Sequence, residues 1–336
     1  QGINLALGQE VISLDLQNHT VKTSDGTHHS FDKLIFAGGA HAFVPPIKGA
    51  QEAGALCVRT IEDARNLLEQ CSAGAECLCI GGGILGLETA GALALRGIKV
   101  TVLEGFGWLL PRQLNQRAGE ILGRQVMEMG IGLRTGVKVL EIQKGDTGKA
   151  VSLEGGEILK GSAVVITAGI RPNTHLIRQA GLTTNQGVVV DDHLVSSHPD
   201  VLAAGDVAEH RGMIYGLWGA SQYQGSIAGM NAAGAGIEFA GIPRSNTLKV
   251  LGIEMFSIGK TAAEDGSYQI FEQEQDGRYI HLVTQDHRLC GAILLGDSRA
   301  SKAAKKAIES RTDLSQCLRL NPGAAEIAEY LMEAMV

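Results

Sequence analysis

The sequence has few aromatic residues, no long apolar run and no excess of positive charge. Phe, Tyr and Trp together make up 4% of the 336 residues, so the hydrophobic cores must be built mainly from Ala, Val, Leu and Ile. No run approaches the roughly 18–20 apolar residues that cross a bilayer, so no membrane span is expected. The net charge of −7 argues against nucleic acid as a partner, because such binding needs a basic surface.

The six cysteines lack both CxxC spacing and the ligand pattern of a zinc or iron–sulfur site, so no metal site is predicted from them. Cys77 and Cys79 alternate on an apolar segment. We interpret them as core thiols, because strand neighbours two residues apart rarely reach disulfide geometry. Sparse, unpatterned cysteines are typical of a reducing cytosol, so a cytoplasmic protein is expected.

Glycine is abundant, at 45 of 336 residues, although no repeat accounts for it. Many tight turns and close approaches of backbone are therefore expected. Strand and helix patterns alternate along most of the chain, which is typical of α/β architecture with parallel sheets. After Pro243 several strands follow one another before two final helices. The predicted elements include helices 61–70, 85–96, 113–129 and 223–233, and strands 76–80, 99–104, 163–168, 201–204 and 249–258.

Residues 81–86 read Gly-Gly-Gly-Ile-Leu-Gly and contain the GxGxxG spacing. The spacing alone is weak, but here it follows a predicted strand, opens a predicted helix and precedes an acid, Glu104, at the end of the next strand. Gly81 would allow the tight turn, Gly83 would let a pyrophosphate approach the backbone, and Gly86 would let the helix pack closely on the strand. The sequence therefore predicts a dinucleotide site.

Glu104 also predicts which dinucleotide binds. Its carboxylate would accept hydrogen bonds from the adenosine ribose hydroxyls and repel a 2′-phosphate, and residues 105–107 supply no arginine to neutralise that phosphate. NADH is therefore predicted over NADPH. A glycine-rich turn in an α/β core that binds no ligand is the alternative.

Two further segments each place small residues after a predicted strand. Residues 164–173 read VVITAGIRPN and residues 201–208 read VLAAGDVA. An aspartate directly after an Ala-Gly turn, here Asp206, could accept hydrogen bonds from a polyol chain. An ordinary Asx turn is the alternative.

The order of the motifs carries a resemblance to a known family. Residues 37–39 (AGG), 59–64 (RTIEDA), 81–88 (GGGILGLE) and the two segments just described follow one another as in the FAD-dependent pyridine nucleotide-disulfide oxidoreductases, which the sequence resembles over essentially its whole length. Residues 248–259 and 296–308 resemble most closely the flavin module of NADH-dependent nitrite reductases and rubredoxin reductases. The resemblance implies FAD and NAD(H) as cofactors.

The resemblance also implies an architecture of two Rossmann-like nucleotide-binding domains and a small α+β C-terminal domain. Residues 57–168 would form the NAD-binding domain. Residues 1–56 and 169–245 would form a discontinuous, incomplete FAD-binding domain, and residues 246–336 the C-terminal domain. The family's first GxGxxG, which holds the FAD pyrophosphate, is missing from this sequence. We expect a fragment of a longer chain rather than a protein that lost FAD, because Asp206 is retained.

Site residues follow from the same resemblance. Asp206, with Gly205 beside it, would bind the ribityl chain of FAD, and Trp218 would lie beside the isoalloxazine unless it is core packing. Arg59 would lie near the flavin. For NAD(H), the resemblance adds Gly169 to the site and places Glu88 near the nicotinamide as a catalytic candidate; a partly solvated helix carboxylate is the alternative.

The implied reaction is hydride transfer from NADH to FAD, followed by electron transfer to an acceptor such as a rubredoxin-like protein or a nitrite reductase partner. An NADH oxidase or a disulfide reductase is an alternative, although residues 321–336 lack the histidine of a glutathione-reductase-like relay. A non-catalytic NADH-binding module is a further alternative, and a homo-oligomer is compatible with the sequence. Basic residues could dock an acidic redox protein or form a solvated helix face: Arg299, Lys302, Lys305, Lys306 and Arg311.

Overall fold

The computed structural model describes residues 2–146, 148–242, 245–248, 252–263 and 265–335, with the backbone alone for 245–248. The chain forms two compact units. The first unit comprises Gln1–His41 and Ile170–Ile242, and the second comprises Ala42–Gly169 and Pro243–Val336. In the described residues, no helix combines the length and the apolar character needed to cross a bilayer.

The strands are β1 (Val11–Asp15), β2 (Thr20–Thr23), β3 (His28–Ser30), β4 (Leu34–Phe36), β5 (Ala40–Ala42), β6 (Glu76–Ile80), β7 (Lys99–Glu104), β8 (Gly132–Thr135), β9 (Val139–Gly145), β10 (Gly148–Leu153), β11 (Ile158–Gly161), β12 (Ala163–Ile166), β13 (Ile170–Pro172), β14 (Val188–Val190), β15 (Val201–Ala203), β16 (Ala208–His210), β17 (Ser245–Leu248), β18 (Met255–Gly259), β19 (Tyr268–Gln275), β20 (Arg278–Gln285) and β21 (Arg288–Leu295). The helices are α1 (Ile61–Gln70), α2 (Ile84–Ala94), α3 (Gln116–Glu128), α4 (His175–Gln179), α5 (Trp218–Ala232), α6 (Ser301–Glu309), α7 (Ser315–Leu318) and α8 (Ala324–Ala334).

The first unit combines short parallel strand pairs with an antiparallel hairpin sheet. Strands β1, β2 and β3 form the antiparallel sheet, while β4 pairs with β15 and β14 with β16 in parallel. The core lies between these strands and α5, and includes Val201, Ala203, Ile227 and Phe239. The parallel pairing of β4 with β15 places the segments that follow both strands at the same edge.

The second unit contains a four-stranded parallel sheet in the order β12-β6-β7-β8. Cys77 and Cys79 of β6 are fully buried, which confirms that they are core thiols. A five-stranded antiparallel sheet, in the order β17-β18-β21-β20-β19, carries α6 and α8 on one face. Four of its buried residues, Met255, Tyr279, Ile293 and Leu295, join the same hydrophobic cluster as the core of the parallel sheet.

Local sequence explains where two helices of this unit begin. Thr60 accepts a hydrogen bond from the amide of Asp63, and the Asp63 carboxylate accepts one from the amide of Thr60, so a capping box starts α1. Asn115 accepts a hydrogen bond from the amide of Ala118 at 2.9 Å and starts α3.

The predicted α/β class with a small C-terminal module is confirmed, and helix 61–70 and strands 76–80 and 99–104 have the predicted bounds. The predicted start of helix 223–233 is wrong, because α5 already begins at Trp218. The predicted start of strand 249–258 is also wrong, because residues 252–254 are not in a strand and β18 begins at Met255. Residues 249–251 lie outside the described residues. The division into three domains stays a prediction.

Candidate dinucleotide and flavin sites

The glycine-rich turn connects β6 to α2 in the second unit, and two of its glycines are required by the packing of the protein itself. Gly81 has a φ of 115°, and a Cβ there would lie 2.7 Å from the carbonyl oxygen of Thr167. A Cβ on Gly86 would lie 2.0 Å from the carbonyl oxygen of Gly81. Any side chain at either position would force the turn, α2 and β12 apart.

Gly83 differs from its neighbours because the protein does not require a glycine there. Its φ of −75° and ψ of 178° are open to any residue, and a Cβ would meet no atom within 4 Å. Gly83 is the N-cap of α2 and has no side chain to bond the first amides of the helix. An anion placed at this helix start would be stabilised by these amides and by the helix dipole.

Glu104 ends β7 next to this turn and is buried, with 8% of its surface exposed. Its Oε2 accepts a hydrogen bond from the amide of Gly82 at 2.6 Å, and its Oε1 accepts one from the amide of Phe106 at 2.8 Å. Each carboxylate oxygen can accept two hydrogen bonds, so capacity remains for hydroxyl donors. The structure thus brings Gly81, Gly83 and Glu104 of the predicted dinucleotide site together.

The loop after β7 supports the glycine-rich turn through contacts that no sequence motif predicts. The amide of Leu110 donates to the carbonyl of Gly82 at 3.4 Å, and a Cβ on Gly82 would lie 2.6 Å from the side chain of Leu109. Leu110 has a φ of 54°, a left-handed conformation that is uncommon outside glycine. Phe106 in the same loop is 58% exposed, beside the Glu104 carboxylate.

Two other residues predicted for NAD(H) also lie in the second unit. Glu88 is half-buried within α2, two residues beyond Gly86. Gly169 follows β12 with a φ of 105°, and its carbonyl accepts a hydrogen bond from the amide of Phe43 at 2.9 Å. Because β12 and β6 are parallel neighbours, Gly169 and the glycine-rich turn follow strands that end at the same edge of the sheet. The roles of both residues stay predictions.

The predicted flavin residues are divided between the units. Arg59 lies directly before the N-cap of α1 in the second unit, whereas Gly205, Asp206 and Trp218 lie in the first. Gly205 has a φ of 81° and opens a short 3₁₀ helix, Gly205–Val207, that contains Asp206. Trp218 begins α5 and is 80% exposed, which contradicts the alternative of core packing.

Three segments converge at the carboxyl ends of β4 and β15. The amide of Ala204 donates to the carbonyl of Phe36 at 3.2 Å. The side chain of Asn173 donates to the carbonyl of Gly38 at 2.8 Å, and its own amide donates to the carbonyl of Gly39 at 3.0 Å. The segments that carried the resemblance, around residues 37–39, 171–173 and 203–206, therefore form one cluster of loops.

Gln224 is a further residue of this region, and no motif in the sequence predicts it. It is fully buried in α5, and its Oε1 accepts a hydrogen bond from the amide of Gly205 at 2.8 Å. That bond fixes the orientation of the side-chain amide. Its Nε2 then has no hydrogen-bond partner among the residues described. A buried amide donor without a partner costs free energy, so an acceptor from outside the chain would fit beside Gly205.

The neighbouring thiols of Cys71 and Cys77 are unsuited to redox chemistry. All six cysteines are free, and Cys71, Cys77, Cys79 and Cys317 are buried. A hydrogen bond with Cys77, followed by burial, raises the pKa of the Cys71 thiol. The bond from Cys71 lowers the pKa of Cys77, but the bond with Cys79 and burial outweigh it and raise that pKa overall. Neither thiol would form the reactive thiolate.

The family models and the curated relatives agree with the motif order. Residues 1–225 match the family model described as pyridine nucleotide-disulphide oxidoreductase, and residues 245–312 match the rubredoxin NAD+ reductase C-terminal domain. The chain is 32% identical over 339 residues to a nitrite reductase (NAD(P)H) of Bacillus subtilis (strain 168), covering 99% of this chain and 42% of that protein. It is 29% identical over 308 residues to the NADH-rubredoxin oxidoreductase of Clostridium acetobutylicum, covering 92% of this chain and 77% of that protein.

Solved structures show the same fold. The NADH:rubredoxin oxidoreductase from Clostridium acetobutylicum aligns with a TM-score of 0.75 at 28% identity, covering 91% of this chain and 76% of that one. A NAD-dependent persulfide reductase from A. fulgidus aligns with a TM-score of 0.84 at 23% identity, covering 92% and 63%. The resemblance inferred from the sequence is confirmed. The chain spans less than half of the length of the nitrite reductases that it matches.

Proposed function

Because the chain belongs to the pyridine nucleotide-disulphide oxidoreductase family, we propose that it oxidises NADH and passes the electrons through FAD to an acceptor. A rubredoxin-like protein or a nitrite reductase partner is the acceptor class that its similarity supports, since its relatives carry those names. The observation that carries the proposal is Gly83, a glycine that the protein's own packing does not require. It starts α2 without a side-chain cap and directly follows Gly82, whose amide binds Glu104.

The residues of the second unit would hold NADH in two ways. The free amides at the start of α2 would bind the pyrophosphate, for which the missing Cβ of Gly83 leaves room. Glu104 would accept hydrogen bonds from the ribose hydroxyls, because the two amides that bind it leave lone pairs unused. Its negative charge would disfavour the 2′-phosphate of NADPH.

The residues of the first unit fit FAD. Gln224 Nε2 offers a buried donor that lacks a partner among the described residues, and Gln224 Oε1 binds the amide of Gly205, which has a positive φ and precedes Asp206. We assign Asp206 and Gly205 to the ribityl side and exposed Trp218 to the ring side of FAD. When bound, FAD accepts a hydride and can return electrons singly or in pairs.

Glu88, Gly169 and Arg59 complete the proposed site. The family resemblance assigns Glu88 to the nicotinamide end, where its half-buried carboxylate would act by position and charge rather than by covalent chemistry. Gly169, with a φ of 105°, would let backbone approach NADH closely. We assign Arg59 to the flavin from the family resemblance alone.

Charge pairing within the chain weakens the basic patch as a docking surface for a redox protein. The guanidinium of Arg299 pairs with Asp297 at 2.6 Å, and Lys305 lies 3.8 Å from Glu309. Lys306 donates to the carbonyl of Met335 at 3.0 Å. We therefore interpret α6 as a solvated helix face rather than as a docking surface. The acceptor is proposed from similarity to the relatives alone.

An absorption spectrum of the purified chain tests the proposal. The protein is mixed with FAD, freed of unbound flavin and titrated with NADH without oxygen. A retained flavin band that bleaches with NADH supports the proposed reaction. NADH binding without retained flavin would instead mean that these residues bind NADH but do not hold FAD by themselves, which would contradict the proposed hydride transfer within this chain. Bleaching followed by rapid recovery in air, without any added acceptor, would favour an NADH oxidase.

The substitution Gly83→Ala, which adds one methyl group, tests the dinucleotide site. Gly83→Ala should change the free energy of unfolding by less than about 1 kcal/mol, because the new Cβ meets no atom of the protein. It should weaken NADH binding at least about tenfold by occupying space meant for the pyrophosphate. Gly229→Ala is the matched control, since Gly229 also has no atom within 4 Å of its Cβ and lies in α5. Equal NADH affinity in both variants, by calorimetry, would contradict the assignment.

A further inference from the structure

Three potential metal ligands from distant parts of the sequence meet in the first unit. His19 lies in the turn between β1 and β2, and His198 and Asp200 lie in the turn that precedes β15. One ligand atom from each residue lies within 4.8 Å of the others. His19 Nε2 is 3.6 Å from Asp200 Oδ2. All three side chains are half-buried, so an ion could enter from solvent.

The backbone already holds these residues in place. The amide of Phe31 donates to the carbonyl of His19, and its ring stacks on the imidazole with centroids 5.4 Å apart and planes 1° from parallel. The amide of Leu34 donates to the carbonyl of Asp200 at 2.8 Å. Because the fold fixes these positions, an ion would need to draw in only the side-chain ends.

We infer that His19, His198 and Asp200 form a binding site for a transition-metal ion of the Zn²⁺ class. Two imidazoles with one carboxylate are ligands that Zn²⁺ accepts, leaving a fourth position for water. Mg²⁺ and Ca²⁺ are disfavoured because they prefer oxygen ligands. Zinc–ligand bonds of about 2.0–2.2 Å require ligand atoms roughly 3.3 Å apart, close to the His19–Asp200 separation.

Two existing contacts compete with the ion and set how tightly it binds. Lys33 Nζ lies 2.6 Å from Asp200 Oδ1, which leaves Oδ2 available but offsets the negative charge. His198 Nδ1 accepts a hydrogen bond of 3.2 Å from the amide of Asp200, which coordination at this ring would weaken or replace. Removal of the lysine charge should therefore strengthen ion binding, a consequence that a purely structural cluster does not predict.

The site is separate from the proposed flavin loops. His198, Asp200 and Lys33 precede the parallel strands β15 and β4, whereas residues 37–39 and 204–206 follow them. Each strand has three residues and spans about 10 Å. The ion would join the β1–β2 hairpin to the turn before β15, so it would stabilise the first unit through mass action rather than take part in hydride transfer.

Calorimetric titration of the chelator-treated chain with ZnCl₂, paired with thermal unfolding, tests the site. We expect one ion per chain in the wild type and in His29→Ala, an exposed histidine of the same sheet that serves as control. His19→Ala and His198→Asn should weaken binding at least about tenfold, and Zn²⁺ should no longer raise their melting temperature. The His198→Asn variant keeps an acceptor for the amide of Asp200, which guards against misfolding.

The Zn²⁺ affinity of Lys33→Gln is a second, independent test of the site. Lys33→Gln should bind Zn²⁺ about two- to fivefold more tightly than the wild type, because the competing surface ion pair is gone. Equal affinities in His29→Ala and His198→Asn would overturn the site and leave only scattered surface binding. Weaker or unchanged binding in Lys33→Gln would also contradict the inferred geometry.

Discussion

The amide of Gly82 donates a 2.6 Å hydrogen bond to Glu104 Oε2, joining the middle of the glycine-rich turn to the end of the next strand. The second oxygen of the same carboxylate is bound by the amide of Phe106. One buried side chain therefore fixes both the glycine-rich turn and the loop after β7. The residue predicted to select NADH thus also shapes the predicted dinucleotide site.

Glu104→Gln should weaken both the fold and NADH binding. Glutamine has one acceptor, so its NH₂ group would face an amide donor of either Gly82 or Phe106. Loss of a charge-assisted bond should lower the free energy of unfolding by about 1.5–3 kcal/mol. Urea unfolding and NADH calorimetry check this, with exposed Glu128→Gln on α3 as control. Indistinguishable stabilities of the two variants would contradict it.

Glu104→Ala combined with Phe106→Arg should shift the preference from NADH toward NADPH. The change removes the carboxylate that would repel a 2′-phosphate and adds a guanidinium at an exposed position beside it. The ratio of kcat/KM for NADPH to that for NADH should rise at least about tenfold. If the ratio stays at the wild-type value, Glu104 does not contact the ribose.

Asn115 should couple the start of α3 to the C-terminal sheet. Its Oδ1 caps α3, while its Nδ2 donates to the hydroxyl of Tyr279 at 2.9 Å. Asn115→Ala should cost about 2–3 kcal/mol of unfolding free energy, whereas Asn115→Ser keeps a cap and should cost about 1 kcal/mol. A double-mutant cycle of Asn115→Ser with Tyr279→Phe checks the bond. Additive effects of the two substitutions would show that no coupling exists.

Asp192 should make the stability of the first unit depend on pH in acid. Hydrogen bonds from Arg211 and then from His210 hold the pKa of Asp192 well below its usual range. A carboxyl whose pKa is lower in the folded than in the unfolded chain stabilises the fold above the unfolded pKa of about 3.9. That stabilisation is lost as the pH falls through the lowered pKa.

Urea midpoints measured from pH 7 to pH 3 test this behaviour. The advantage of the wild type over Asp192→Asn should be constant down to about pH 5 and shrink below about pH 4. Asp32→Asn, which changes an exposed carboxylate of the same unit, is the control. An advantage that grows as the pH falls would contradict the assigned direction of the pKa shift.

The features that the sequence predicts correctly are those set by interactions between residues close together in the chain. The glycine spacing, the acid at position 104 and the bounds of β6 and β7 depend on neighbours along the chain, and the structure agrees with them. Helix α1 also has its predicted bounds, because Thr60 and Asp63 cap it within a few residues. The roles of individual site residues stay predictions.

The features of the site that the sequence does not predict depend on contacts between residues far apart in the chain. The support of Gly82 by Leu109 and Leu110 requires a loop conformation with a positive φ at a leucine, which residue type does not predict. Gln224 lies beside Gly205 because α5 packs against this turn, a contact that the local sequence does not predict. The early start of α5 had no capping signal, since Leu217 makes no side-chain cap bond.

The pairing of β4 with β15 has a consequence for synthesis. Lys33 and Asp200, which precede the two strands, are 167 residues apart. A ribosome adding 5–20 residues per second would need roughly 10–30 s to produce the second strand after the first. For that time the backbone of β4 lacks its native partner, while the intervening parallel sheet can already assemble. Chaperones that hold unpaired strand edges should therefore affect the yield of this chain more than its final stability.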